Sequence, residues 1–408
     1  EISACLVGSE MCIRDRFNPD MALAIVVNPN TGEILGMGSL PDFDPNNYKE
    51  YGTSVLNRNL PIWSSYEPGS TFKVVTMSSA VEEGVIDIFN DHFYDAGKVN
   101  VDGSVLKCWK SGGHGDQTFL QVLQNSCNPG FVKLGQLLGK EKLFSYIDKF
   151  GFGNKTGIDL SGEATGILFP MNKVGNVELA TTAFGQGISV TPIQQVVAVS
   201  AVVNGGVLYK PYIVKGISTN TNSSVKEFSK KKVRRVISEK TSEIMRLALE
   251  SVVAYGGGKS AYIEGYRVGG KTGTAQKSSN GVYLVNNYIM SFMSVVPANK
   301  PEAVLYLAID NPKNTAMLSS YTTTPIARRI LLDIIDALDI KKQDGELEKE
   351  LEWNDKEYIT VPNVIGMSLD MAKKTLSNFD VQVVGDGDKV TYQSIDEGEK
   401  IEIGSRIR

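Results

Sequence analysis

The sequence predicts an α+β protein built from one large unit and one small one. Strand-like apolar runs lie near the start, at Ala22–Val27, and again late, at Tyr288–Val296 and Ala303–Ile309. Helical patterns fill the stretch between, and a charged break near residue 350 precedes a short tail with its own helix and strands. Strands at both ends with helices between imply one sheet closed by segments distant in sequence.

Taken in order, Ala22–Val27 and Glu33–Gly38 read as a hairpin turned by Asn28-Pro29-Asn30-Thr31-Gly32. A loop with Pro41 and Pro45 leads to a helix opened by Ser70, whose Phe72, Val74, Val75, Met77, Ala80 and Val81 form a buried run. From about Gly84 to Asn204 the patterns are helical, including Phe119–Gln124 and Thr191–Val203. Strands return at Tyr262–Gln276, Tyr288–Val296 and Ala303–Ile309, followed by an amphipathic helix over Thr324–Leu338. Residues 341–358 hold seven acidic and four basic residues with almost no apolar pattern and read as an acidic linker. In the tail, Ser368 caps a helix with Leu369, Ala372 and Leu376 on one face, covered by strands at Val381–Val384 and Lys400–Ile407. No long internal repeat is visible.

Composition is that of an ordinary globular chain, 42% hydrophobic and 22% charged, with a net charge of −4 that leaves no footprint for nucleic acid. No apolar stretch approaches the roughly 18 residues of a membrane span. The basic run Lys230, Lys231, Lys232, Arg234, Arg235 reads as a solvated face. Residues 6–16 resemble an in-frame translation of a sequencing adapter, so residues 1–16 are set aside and the chain is expected to be a fragment of a longer protein.

Three short motifs carry the chemistry: Ser70-Thr71-Phe72-Lys73, Ser126-Cys127-Asn128 and Lys271-Thr272-Gly273. They provide a serine nucleophile, a lysine base, a second hydroxyl and a second lysine, the parts of an acyl-transfer site without a catalytic histidine. Each motif recurs by chance. Ser223-Ser224-Val225-Lys226 and Ser229-Lys230-Lys231-Lys232 fit the first; Ser218-Thr219-Asn220 and Ser278-Ser279-Asn280 fit the second; Lys155-Thr156-Gly157 fits the third. Context separates them: Ser70 follows Glu67-Pro68-Gly69 and opens an apolar run, whereas Ser223 and Ser229 sit in a lysine-rich stretch with no apolar face.

From Pro19 to about Ile340 the chain resembles the transpeptidase domain of class B penicillin-binding proteins. The resemblance rests on Asn30–Leu35, Glu67–Lys73, Ser126–Asn128, Gly187–Pro192 and Gly270–Thr274. It implies a β-lactamase/transpeptidase-like fold over residues 17–340, an antiparallel sheet flanked by helices with a helical subdomain. Residues 359–408, starting Val361-Pro362-Asn363-Val364, resemble a PASTA module that departs from its family where a proline is usual near Ile395. A single such module, with cysteine inside the second motif, is similar to the sporulation branch of the family.

The resemblance also implies roles. Ser70 is the nucleophile, Lys73 its base and Ser126 the proton relay to the leaving amine. Asn128 holds a substrate amide, while Lys271, Thr272, Gly273 and Thr274 bind the terminal carboxylate, with the Ser70 and Thr274 N–H groups as oxyanion donors. Burial and the charge of Lys271 are both expected to lower the Lys73 pKa. The implied reaction is cross-linking of peptidoglycan stem peptides, with β-lactams acylating the same serine. The implied partners are a membrane glycan polymerase and division or sporulation proteins, at the outer face of the cytoplasmic membrane. No cofactor and no metal are expected. Cys5 and Cys12 fall in the set-aside segment; Cys108 and Cys127 read either as two small thiols or as a disulfide-forming redox pair beside the site. His92 and His114 are read as neither catalytic nor metal-binding. Three other readings stay open: a D,D-carboxypeptidase or serine β-lactamase, a non-catalytic β-lactam sensor, and a protein dominated by a muropeptide-binding tail.

Overall fold

The computed structural model describes residues 13–219, 224–279, 282–313, 319–345, 347, 358–402 and 406–408. It separates into residues 1–349 and 350–408. Ile13 and Phe17, in a short helix ahead of the first strand, are buried against the large unit.

The large unit is organised by a five-stranded antiparallel sheet of β1 (Met21–Val27), β2 (Ile34–Leu40), β3 (Gly269–Ser279), β4 (Val282–Val296) and β5 (Ala303–Asp310). Their spatial order is β3-β4-β5-β1-β2, so the two ends of the unit meet where β1 pairs with β5, Ile25 opposite Tyr306. Successive side chains on a strand point to opposite faces. On β1, Leu23, Ile25 and Val27 enter one core while Ala22, Ala24 and Val26 enter another; on β5, Val304 and Tyr306 oppose Leu305, Leu307 and Ile309 in the same way. Burial on both faces explains why these segments read as continuous apolar runs.

One core lies under the helices α1 (Lys73–Glu82), α2 (Phe119–Gln124), α3 (Asn128–Lys149), α4 (Pro192–Val203) and α5 (Glu239–Tyr255). The other is closed by α6 (Ser319–Ala337) through Ile326, Ala327, Ile330, Leu331 and Ile334. The sheet is thus a wall between two cores, and β3 is its edge. Helix α4 starts where expected, because Thr191 and Gln194 form a reciprocal capping box ahead of Pro192. Helix α3 is interrupted at Gly139, whose φ is 74°.

Several sequence expectations need correction. The strand expected from Tyr262 begins only at Gly269, since residues 259–261 form a 3-10 turn. Helix α6 begins at Ser319 and not at Thr324; Pro325 reads as a helix start but sits inside the helix, where its missing N–H forgoes one bond. The supposedly helical middle third also holds two antiparallel strand pairs, His92–Asp95 with Gly115–Thr118 and, between them in the chain, Lys98–Val101 with Ser104–Lys107. Their strands are only four residues long, too short for an alternation signal.

Residues 341–345 and 347 lie along the large unit: the Gln343 N–H donates to Gly265 at 2.8 Å and the Leu347 N–H to Glu250 at 3.3 Å. The rest of the expected linker up to residue 357 lies outside the described residues.

The small unit has its own core of Val361, Val364, Ala372, Leu376, Phe379 and Ile407. Ser368 caps the helix Leu369–Thr375 by accepting the Met371 N–H. Tyr358–Thr360 pairs antiparallel with Lys400–Glu402, and Asp380–Val381 pairs parallel with Arg406–Ile407.

Candidate active site

The first motif begins on a turn and not on a helix. Gly69–Thr71 form a 3-10 turn leading into α1, of which Lys73 is the first residue. Gly69 has φ +55°, and a Cβ there would lie 3.1 Å from the Ala275 Cβ and 3.2 Å from the Thr274 carbonyl oxygen. Glycine therefore allows both the turn and its close approach to the edge strand. The Gly69 N–H donates to Gly185 at 2.9 Å, and the Thr71 hydroxyl to Pro68 at 2.8 Å. Gly273 makes the complementary approach from β3, where a Cβ would lie 2.9 Å from Thr71 Cγ2 and 2.4 Å from Ser291 Oγ.

The second motif is reached through Lys73. Its fully buried ammonium donates to the Ser126 carbonyl at 2.8 Å, the Ser126 hydroxyl at 3.2 Å and Asn128 Oδ1 at 2.6 Å. Ser126 itself has φ 51°, an uncommon backbone state for a residue with a side chain. It turns the chain between α2 and α3, with Cys127 as the N-cap residue of α3.

Burial is the main cause lowering the Lys73 pKa to about 7, opposed by the negative charge that Cys127 and Cys108 can carry. Lys271 is also fully buried and is pushed well below the usual lysine range, first by burial and then by the charge of Lys73. The charge coupling expected to act on Lys73 thus appears on Lys271. The Lys271 ammonium donates to the Thr272 carbonyl at 3.0 Å.

Two features near the site were missed from sequence. Ser319, at the start of α6, donates its hydroxyl proton to the Gly273 carbonyl, and its oxygen lies 2.9 Å from Thr274 Oγ1. A hydroxyl has one proton, so Thr274 must be the donor to Ser319. Glu67 accepts the Gly187 N–H at 3.0 Å and the Tyr283 hydroxyl at 3.1 Å; desolvation raises its pKa. It ties the turn carrying Ser70 to the Gly187–Pro192 segment and to β4. Neither contact has a sequence signal, since both join residues more than forty positions apart.

Beside Ser126 lies a second buried cluster. Asp95, Cys108, His114 and Cys127 place one donor atom each within 4.8 Å of one another. Both cysteines are free thiols. Desolvation acts upward on the Asp95 carboxyl but is outweighed by hydrogen bonds from Cys108, His114, Gly97 and Cys127, which bring it to about 2. The hydrogen bond between the thiols lowers Cys108 and raises Cys127.

The decoys go elsewhere. Ser229 and Lys155 are exposed, and the Thr156 and Gly157 N–H groups donate to Glu163 at 2.7 and 3.1 Å. Ser223, Asn220 and Asn280 lie outside the described residues.

The geometry is thus a sheet between two cores, with a Ser-x-x-Lys turn packed on an edge strand and a lysine linking that segment to Ser-x-Asn. Residues 22–332 match the penicillin binding protein transpeptidase domain and residues 359–408 match the PASTA domain, so the chain belongs to the penicillin-binding protein transpeptidase family. It is 56% identical over 394 residues to stage V sporulation protein D of Bacillus subtilis, covering 96% of this chain and 61% of that protein. It is 29% identical over 322 residues to the peptidoglycan D,D-transpeptidase FtsI of Escherichia coli K12, covering 78% of this chain and 52% of that protein. Among solved structures, penicillin binding protein 3 of Mycobacterium tuberculosis in complex with aztreonam superimposes with a TM-score of 0.78 at 26% identity, over 86% of this chain and 80% of that one. The chain thus spans about three fifths or less of these curated relatives' lengths. Among the described residues no helix is long and apolar enough to cross a membrane.

Proposed function

We propose that the chain is the catalytic part of a peptidoglycan D,D-transpeptidase that works through a serine acyl-enzyme. The observation that carries this reading is Lys73: fully buried, with a pKa lowered to about 7, and hydrogen-bonded to Ser126 and Asn128 from the first position of α1. Such a lysine can be neutral at working pH and accept a proton.

In the proposed reaction Ser70 Oγ attacks the carbonyl of the penultimate D-alanine of a stem peptide and gives its proton to Lys73. The oxyanion is held by the Ser70 and Thr274 N–H groups. Collapse breaks the peptide bond, Ser126 gives its proton to the departing D-alanine amine and takes the one held by Lys73, 3.2 Å away, and the acyl group stays on Ser70. An amine of a second stem then attacks the ester, forming the cross-link and returning the proton to Ser70. Asn128 holds the stem amide, and Lys271, Thr272 and Thr274 receive the terminal carboxylate. A β-lactam enters the same first step, but its leaving amine remains tethered, so the adduct persists. The names of the relatives, peptidoglycan D,D-transpeptidase among them, support this substrate; peptidoglycan as substrate places the proposed activity at the outer face of the cytoplasmic membrane. There a glycan polymerase and division or sporulation proteins are the proposed partners of the full-length protein.

The test is a fluorescent-penicillin chase on wild type and Ser70→Ala, followed by intact mass. A Ser70-dependent adduct lasting hours is expected. Label that survives Ser70→Ala refutes the nucleophile assignment, and label lost within seconds points to a hydrolase.

A further inference from the structure

We propose that two basic ribbons, Val207–Lys210 with Lys231–Arg235 and Gly216–Ser218 with Ser224–Glu227, form a surface that docks on a bilayer of anionic phospholipids. This goes beyond the acyl-transfer reading and revises the sequence expectation of a merely solvated face at Lys230–Arg235.

The surface is strongly and one-sidedly charged. Residues 148–159 and 207–235 carry ten lysines and arginines against three carboxylates, on a chain whose net charge is −4. These segments adjoin. Lys231 lies opposite Lys210 across the first ribbon, and a Cβ on Gly157 would lie 3.4 Å from Lys210 Cε. Arg234 donates to the Asp148 carbonyl at 3.3 Å, and the Phe228 N–H donates to Lys215 at 2.9 Å. Lys215, Lys226, Lys230, Lys231 and Lys232 are all exposed. Among the described residues none of the ten cations pairs with a carboxylate. Of the three acids, Asp159 accepts the Ile213 and Val214 N–H groups, each at 2.8 Å, and Asp148 accepts the Asn154 amide at 3.3 Å. Glu227 is exposed.

Aliphatic side chains within the same stretch select the partner. Ile213, Val214, Ile217, Val225 and Val233 are between 39% and 65% exposed, and Ile217 sits opposite Lys226. Aliphatic groups among lysines suit a bilayer interface, where the apolar group enters the acyl boundary while the ammonium stays with the phosphates. A soluble polyanion gives those aliphatic groups nothing to bury against. A single-stranded nucleic acid asks for exposed stacking aromatics, whereas Tyr209, Tyr212 and Phe228 are half-buried. Lysines outnumber arginines eight to two here. That balance fits diffuse attraction to many headgroups better than bidentate recognition of one group.

The ribbons are fastened to the sheet at its β2 edge. The Tyr212 N–H donates to Gly32 at 3.1 Å, and the Ile34 N–H donates to Tyr212 at 2.9 Å. Gly32, at φ +82°, has no room for a Cβ, which would fall 2.6 Å from the Lys210 carbonyl oxygen. The opposite edge is β3, which carries Lys271. Four inter-strand spacings, about 19 Å, separate the two edges. Docking at the β2 edge would therefore hold β3 on the far side of the sheet from the bilayer.

The test is co-sedimentation of the 408-residue chain with vesicles of phosphatidylcholine, alone and mixed with phosphatidylglycerol. Binding is expected to the anionic vesicles only, and to weaken as salt is added. Each lysine near such a surface is worth a factor of about five. Lys230→Gln, Lys231→Gln and Lys232→Gln together should thus weaken binding about a hundredfold. Ile217→Ser with Val225→Ser keeps the charge and should weaken it about tenfold. All five side chains are exposed, so the fold should persist, which circular dichroism checks. Wild-type chain that ignores anionic vesicles at low salt overturns the proposal whatever the variants do. Vesicle binding that survives both sets of substitutions overturns its assignment to this surface. Binding insensitive to the Ile217 and Val225 changes, with equal capture of soluble polyphosphate, overturns the bilayer in favour of an anionic polymer.

Discussion

The Lys73 ammonium lies 2.6 Å from Asn128 Oδ1 and 2.8 Å from the Ser126 carbonyl, joining the first two motifs through one buried charge. Residues 53 and 55 positions away thus hold the side chain proposed to activate Ser70. Its burial both fixes the amine and makes it basic in the useful range, because a buried ammonium is penalised against the neutral amine.

This sets the pH dependence. In the proposed mechanism Lys73 acts as the neutral amine, and its pKa is lowered to about 7, so acylation by a penicillin should rise with pH through a limb near 7 and level off above it. Lys73→Ala should slow acylation roughly 10²–10⁴-fold and abolish that limb. Stopped-flow labelling across pH checks both; an unchanged limb in the variant assigns it to another group.

Gly273→Ala tests the contact of the nucleophile turn with the edge strand. The added Cβ would meet Ser291 Oγ at 2.4 Å and Thr71 Cγ2 at 2.9 Å. A cost of about 1–3 kcal/mol is expected from overpacking. Labelling should fall by more than the loss of stability explains, because the displaced group carries Ser70. Labelling rates beside urea unfolding of the same protein decide it.

Ser319→Ala removes the donor to the Gly273 carbonyl and the acceptor of the Thr274 hydroxyl. Leaving a buried acceptor unpaired costs about 1–3 kcal/mol. The second-order acylation rate constant should drop about tenfold, mainly through weaker binding, if Thr274 orients the carboxylate. A loss confined to the acylation step at saturation would place Ser319 elsewhere in the mechanism.

The pair Arg267–Glu250 offers a prediction away from the chemistry. The guanidinium donates to both carboxylate oxygens, at 3.0 and 2.8 Å, and the Glu250 side chain is 4% exposed. Glu250→Ala removes the bidentate acceptor of a half-buried guanidinium and should destabilise the large unit by about 1.5–3 kcal/mol. Equilibrium urea unfolding measures it; a change below 1 kcal/mol would mean that water replaces the carboxylate.

Much was legible from local pattern. The hairpin of β1 and β2, the late strands, the cap at Thr191 and the helix after Ser368 each follow from a signal within a few residues. The three motifs were separable from their decoys because an apolar run marks the segment that must be buried. The short strands at His92–Asp95 and Lys98–Val101 were not legible, since four residues carry too little periodicity.

The sequence by itself determined the chemical inventory: two serines and two lysines in three motifs, and strands able to close one sheet. Tertiary structure alone decided that burial lowers both lysines and that the charge coupling falls on Lys271, that Ser319 holds Gly273 and Thr274, and that Asp95, Cys108, His114 and Cys127 converge. These four residues stand 13, 6 and 13 positions apart, a spacing that carries no local signal. Side chains on separate segments become neighbours only when glycines such as Gly113 let the backbones approach, and desolvation acts only once the core has closed.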